Sequence, residues 1–143
     1  MANAQAVGQR FIDAFNAHDT SRIRELNGEN TVFEAPGEVK LQGRDASTEY
    51  AMEWLRAFPD ARIDVHNELV AGDWVIQEFT FSGTHEDTLS SPGGEIPATH
   101  KKLNGRGVQI FRVDGETVAD TRLYFDQVQL MTQLGLMPEP ATA

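Results

Sequence analysis

Cysteine is absent from the 143 residues, which excludes disulfides, thiolate nucleophiles and cysteine-based zinc sites together. Basic residues are scarce as well: 12 Lys and Arg stand against 22 Asp and Glu, a formal net charge of −10. A surface of that sign repels phosphate backbones and anionic lipid, so neither nucleic acid nor a membrane is an expected partner. No apolar run is long enough to cross a bilayer, and residues 1–10 lack a basic segment followed by an apolar core. The expected compartment is the cytoplasm. The four histidines are scattered, with no helical or hairpin spacing to carboxylates, so no metal is expected.

What is present is the makings of one packed core. A chain of this length buries most of its apolar surface without staples, and residues 1–143 read as a single domain with a frayed tail from about 138. Val7, Phe11, Ala14 and Phe15 recur at helical spacing behind Asn3, a capping residue. A short second helix runs from Asp19 or Thr20 to Leu26 and is stopped by Asn27-Gly28. Thr31 to Ala35 reads as a brief strand. After Gly43, Asp45 is placed to cap a third helix that ends at Pro59 and carries Tyr50, Trp54 and Phe58 along one face.

The period then changes to two. Ile63, Val65 and Leu69 alternate with polar neighbours as in a half-buried strand, and Ala71-Gly72-Asp73 turns the chain into a return strand from Trp74 to about Thr84. Residues 85–99, with Ser91-Pro92-Gly93-Gly94 and Ile96-Pro97, read as a long loop placed to frame a site mouth. A second hairpin spans Lys101 to Val113 and Glu116 to Phe125 across Asp114-Gly115, a strong turn signal. Asp126 caps a last helix through Leu134, with Gly135 closing it. Helices followed by antiparallel strands define the α+β class, a curved sheet wrapped around helices.

Four stretches give the chain a wider likeness: Phe11-Ile12-Asp13-Ala14-Phe15-Asn16, Phe58-Pro59-Asp60-Ala61-Arg62, Gly83-Thr84-His85 through Ile96-Pro97-Ala98-Thr99, and Tyr124-Phe125-Asp126 with Gln133-Leu134-Gly135. In order and spacing they resemble the SnoaL-like polyketide cyclases of the nuclear-transport-factor-two-like superfamily. The resemblance implies a cone: a bent mixed or antiparallel sheet packed on three N-terminal and flanking helices, an internal apolar cavity, and frequent homodimers. It also implies cofactor-independent acid/base chemistry, such as aldol-type ring closure or isomerisation of a small polyketide-like or cyclic carbonyl compound. In such cyclases an aspartate on the last strand, supported by a histidine on the preceding one, moves the proton. The positions that correspond here hold Leu123 and Gln109, so the usual pair is replaced.

The replacement candidates follow from chemistry. Glu34 is the candidate base, with Gln109 stabilising an enolate; the competing reading makes Glu34 a solvent-facing strand carboxylate. His85 titrates in the useful range and is either a base or a loop histidine tied to backbone. Phe33, Trp54, Phe58, Phe79, Phe111 and Leu123 are the expected substrate-facing wall, with ordinary core packing as the alternative. Asp126 is explained by its helix cap. Three functions remain: an acid/base enzyme, a binding protein for a small apolar molecule, and, with least support because the paired aspartates are missing, an epoxide hydrolase.

Overall fold

A computed structural model describes residues 3–137, so the expected frayed tail lies outside the described residues. Helix α1 (Ala4–Asn16) is capped by Asn3, whose Oδ1 accepts from the Ala6 amide at 2.7 Å, and α2 (Thr20–Leu26) by Asp19 in the same way. Both follow the sequence pattern. Strand β1 (Asn27–Ala35) begins four residues earlier than predicted, because Asn27-Gly28 continues from the helix into the sheet. Gly28 lies close against Val118 and Thr117 there: a side chain would meet both at 3.2 Å.

A four-residue strand, β2 (Val39–Gln42), folds back on β1 and is too short to show as a pattern. Helix α3 (Arg44–Ala57) has Gly43 at its N-cap position with no side-chain cap, so Asp45 sits in the first turn, where a carboxylate suits the positive end of the dipole. Strands β3 (Arg62–Ala71) and β4 (Trp74–Thr84) form the first hairpin. A bulge between Val65 and Asn67 reverses the parity of β3, so Leu69 is exposed rather than on the face shared by Ile63 and Val65.

Residues 85–99 are more ordered than a loop, since β5 (Leu89–Ser91) and β6 (Gly94–Ile96) pair within them. Strands β7 (Lys102–Asp114) and β8 (Thr117–Phe125) make the second hairpin, with Gly115 at φ 61° in its turn. Helix α4 (Gln127–Gln133) follows Asp126, which accepts from the Gln129 amide at 3.0 Å.

The main sheet has the order β2-β1-β8-β7-β4-β3 and is mixed: β1 runs parallel to β8, and the other pairs are antiparallel. Four helices and a curved sheet that does not close into a barrel make the α+β cone. Its core, including Val7, Phe15, Ile23, Leu55, Val75 and Phe111, lies between the inner sheet face and the helices. No helix among the described residues is long and apolar enough to cross a membrane.

Candidate functional site

Strand alternation sets what faces inward. On β7 the odd-numbered residues Leu103, Gly105, Gly107, Gln109 and Phe111 point toward the helices. The facing wall is α3, whose Ser47, Tyr50, Ala51 and Trp54 fall on one side at helical spacing. Between them lies a cavity of about 90 Å³. Phe33 and Tyr50 meet with ring centroids 4.5 Å apart, and Trp54 is flanked edge-on by Phe81 and Phe125 at 5.4 and 5.7 Å, so aromatic carbon forms most of the wall.

The narrow end is braced by a polar circuit. Asn27 Nδ2 donates to Thr48 Oγ1 at 3.1 Å, Thr48 Oγ1 donates to the Arg44 carbonyl at 2.7 Å, and Arg44 Nε donates to the Asn27 carbonyl at 2.8 Å. Asn27, Ser47 and Thr121 are all buried and line this part of the cavity. The wide end is bordered by Arg106 and Asp126, both exposed, and by Gln129 and Leu130 of α4. None of the residues 85–99 lines the cavity, so the mouth is framed by α4 and not by that segment.

Two residues of this wall each carry a buried polar atom with no partner. Gln109 Nε2 and Ser47 Oγ are buried without a hydrogen bond, in residues 6% and 5% exposed. A buried unmet donor costs about 1–3 kcal/mol, so an incoming ligand group that satisfies it recovers that energy. Leu123 pairs in register with Gln109 and leaves an apolar surface beside the amide. Tyr50 is neutral over the physiological range: burial pushes its hydroxyl up to about 12, against a smaller opposing effect of the Trp54 side chain. It is therefore a proton donor and never a phenolate there.

The structure brings together Phe33, Trp54, Phe79, Gln109 and Leu123 of the predicted set. Phe58 and Phe111 do not reach the cavity; both are fully buried, Phe58 stacked behind Trp54 at 5.7 Å and Phe111 against Phe11 at 5.1 Å. Glu34 faces outward. It follows inward-pointing Phe33 on β1, so it lies in a shallow surface groove between Lys40 and Arg122, away from the cavity.

His85 is fully buried but also outside the cavity. It stacks on Phe58 at 5.2 Å, and its Nδ1 accepts from the Thr99 amide at 3.3 Å and lies 3.0 Å from Thr99 Oγ1. Burial holds its pKa below the ordinary value. Sequence reasoning missed Asn27, Ser47 and Thr121. The helical spacing of Ser47 with Tyr50 and Trp54 is the signal that finds the second of these.

The one carboxylate among the described lining residues is Asp126, whose Oδ1 is engaged by the α4 cap. Among the described residues no three His, Asp or Glu side chains converge in a way that holds a metal ion.

A mixed, open cone with an aromatic cavity and a few polar residues has the make-up common to small-molecule pockets. The family model for SnoaL-like polyketide cyclases matches residues 5–134, and the chain belongs to that family. Solved structures agree in fold. A candidate SnoaL-like polyketide cyclase from Jannaschia sp. CCS1 superimposes with a TM-score of 0.82 at 18% identity, over 94% of this chain and 93% of that one. AclR, a candidate hydroxylase from Streptomyces galilaeus, gives 0.81 at 19% identity over 96% and 88%. IdmH, a candidate polyketide cyclase from Streptomyces antibioticus, gives 0.77 at 22% identity over 94% and 99%. No curated protein matches the chain.

Proposed function

We propose that the protein is a cyclase- or isomerase-type enzyme that holds a small polyketide-like carbonyl compound in the aromatic cavity and moves a proton alpha to the carbonyl. Gln109 carries the reading. Its unpartnered Nε2 is a fixed donor in a dry, apolar wall, where a hydrogen bond to developing enolate oxygen is worth far more than in water. Tyr50, kept protonated by burial, is a second neutral donor on the opposite wall.

Glu34 and His85 lie outside the cavity, and Asp126 is the base. Its carboxylate borders the wide end and accepts the proton that the substrate carbon loses, while the electron pair moves onto the carbonyl oxygen. Return of that proton at another position isomerises the substrate; attack of the enolate carbon on a second carbonyl closes a ring. Turnover measured on a panel of such compounds tests the reading. Asp126→Asn keeps a good helix cap and removes the base, and it is expected to abolish turnover without unfolding the protein. Full activity in that variant removes Asp126 from the mechanism.

Leu123 favours a second reading, a binding protein that converts nothing, because it leaves hydrocarbon beside Gln109 where the resemblance expects an aspartate. A ligand that raises the melting temperature and is recovered unchanged supports it.

A further inference from the structure

The sequence singles out His85, and the proposed reaction makes no use of it. Its side chain is fully buried behind the cavity, and what it touches there leads back to the wall. The imidazole stacks on Phe58 with centroids 5.2 Å and planes 23° apart, and Phe58 stacks on Trp54 at 5.7 Å and 18°. Trp54 lines the cavity. Three near-parallel rings thus run from His85 to the ligand side of α3, at separations where aromatic pairs attract.

The same imidazole sits at the base of residues 85–99. The His85 amide donates to the Lys101 carbonyl at 2.9 Å and the His100 amide to the His85 carbonyl at 2.8 Å, which closes that base. Beyond it the segment lies along α3. The Glu86 and Asp87 amides donate to the Ala57 carbonyl at 2.9 and 3.3 Å, the Ser90 amide donates to Glu53 Oε1 at 2.9 Å, and Leu89 and Ile96 are buried in the core.

Only the neutral ring makes the side-chain bond seen here. Nδ1 accepts from the Thr99 amide at 3.3 Å, which leaves the ring proton on Nε2, buried without a hydrogen bond. A second proton has to go on Nδ1, where it faces the Thr99 amide donor to donor. Thr99 Oγ1, 3.0 Å from Nδ1, turns to accept it, but the amide does not. An unmet buried donor shifts the local equilibrium toward opening by roughly 10-fold or more.

Neighbouring charge is engaged elsewhere. Glu86 Oε2 lies 3.4 Å from His100 Nδ1, and Asp87 Oδ2 lies 2.9 Å from Arg56 Nη1 of α3. Asp60, in the turn after α3, accepts from Thr84 and is in range of Lys102. Burial, with His100 adding to it, keeps the ring neutral against the pull of the Asp87 backbone and of the Glu86 and Asp87 carboxylates.

We propose that His85 is a positioning residue for the cavity: the neutral ring ties residues 85–99 down and backs Trp54 through Phe58, and protonation releases both. The ligand side of α3 therefore loosens in acid. The inference rests on the proposed function only in taking the cavity as the ligand site.

Trp54 reports the coupling without any ligand, and in a Trp74→Phe background it is the one tryptophan of the chain. Between about pH 7.5 and 5, while circular dichroism shows a folded protein, its emission is expected to move to longer wavelength with a midpoint below about 6.5. The His85 imidazole, followed by nuclear magnetic resonance, is expected to titrate at the same midpoint. Protection of the Glu86 and Asp87 amides from hydrogen exchange is expected to fall roughly 10-fold across it. His85→Phe keeps the stack, takes no proton and is expected to hold the emission constant; His100→Gln is expected to keep the change. A constant emission in the Trp74→Phe protein overturns the proposal. So does a Trp54 midpoint that differs from that of His85, a transition that persists in His85→Phe, or one that vanishes in His100→Gln. The comparison of midpoints decides the matter without the His85→Phe variant, should that chain fail to fold. Absence of turnover on carbonyl compounds refutes the proposed function and leaves the emission test in force, whereas a constant emission in an active enzyme refutes the role of His85 alone.

Discussion

Gln109 is a residue whose contributions to stability and to function have opposite signs. Its Nε2 is buried without a partner, so replacing the side chain with leucine removes an unmet donor at similar volume. Gln109→Leu is expected to unfold at equal or higher denaturant, by up to about 1–2 kcal/mol, while turnover falls roughly 100-fold. Parallel denaturation and rate measurements check both signs. Glu34→Gln is expected to leave turnover unchanged within two-fold or so, since an exposed carboxylate on the outer face has no path to the cavity.

His85 governs a different observable. Its folded pKa is depressed by burial, so between that value and about 6.5 the unfolded chain binds the proton and the native state does not. The stability contribution is present above about 6.5 and is lost as pH falls through the window below it. Denaturation midpoints compared at pH 7.5 and 5.5 are expected to drop for the wild type and to drop less for His85→Phe. Among the carboxylates with lowered pKa values, Asp60 through its bonds from Thr84 and Asp87 through the Thr88 amide act at lower pH than this window.

At the scale of elements, α4 is attached to the sheet in an unusual way. The edge of β7 beyond the end of β8 has no strand neighbour at Asn104 and Arg106. Gln133 fills the gap, accepting from the Asn104 amide at 2.7 Å and donating to its carbonyl at 2.9 Å, and Gln129 accepts from the Arg106 amide at 3.2 Å. Two glutamines one helical turn apart thus continue the ladder with side chains. Gln129→Ala with Gln133→Ala is expected to cost about 1–3 kcal/mol and to speed hydrogen exchange at those two amides, with β4 amides unaffected.

The elements also show what the sequence makes legible. The aromatic face of α3 and the two long hairpins are plain because each repeats one period over many residues. Strand β2 and the bulge in β3 are not, because the first is four residues long and the second changes parity at a single position, His66. The candidate site shares that pattern: Phe33, Trp54 and Phe79 follow from alternation and helical spacing, and Gln109 and Leu123 from the resemblance to the cyclases. Glu34 takes the solvent-facing of its two sequence readings, which a lone carboxylate beside an inward phenylalanine does not decide. Asn27 and Thr121 stay hidden because a cavity is made by elements distant in sequence, whereas Ser47 shares helical spacing with Tyr50 and Trp54.

For the whole molecule, the outer face of the sheet is the remaining open surface. Val32, Leu69 and Tyr124 are exposed there, and Arg122 lies over the Trp74 ring at 5.1 Å on the same side. Apolar side chains on both faces of β4 lead us to propose a homodimer through this surface. Sedimentation at micromolar concentration is expected to report the mass of two chains, and Tyr124→Glu to shift it toward one; a single-chain mass for the wild type contradicts the proposal.

The parallel pairing of β1 with β8 has a temporal consequence. A strand from the first quarter of the chain finds its neighbour only when the last strand has been made. Loop closure over that span is slow, and until it happens the helices near the N-terminus have half a sheet to cover. During synthesis the β1–β2 hairpin waits with an open edge, and the cavity lacks the β8 part of its lining until that strand is in place. A chain cut after Asp114 keeps α3 but loses β8 and α4, and with them Thr121, Leu123, Phe125 and Leu130 of the lining.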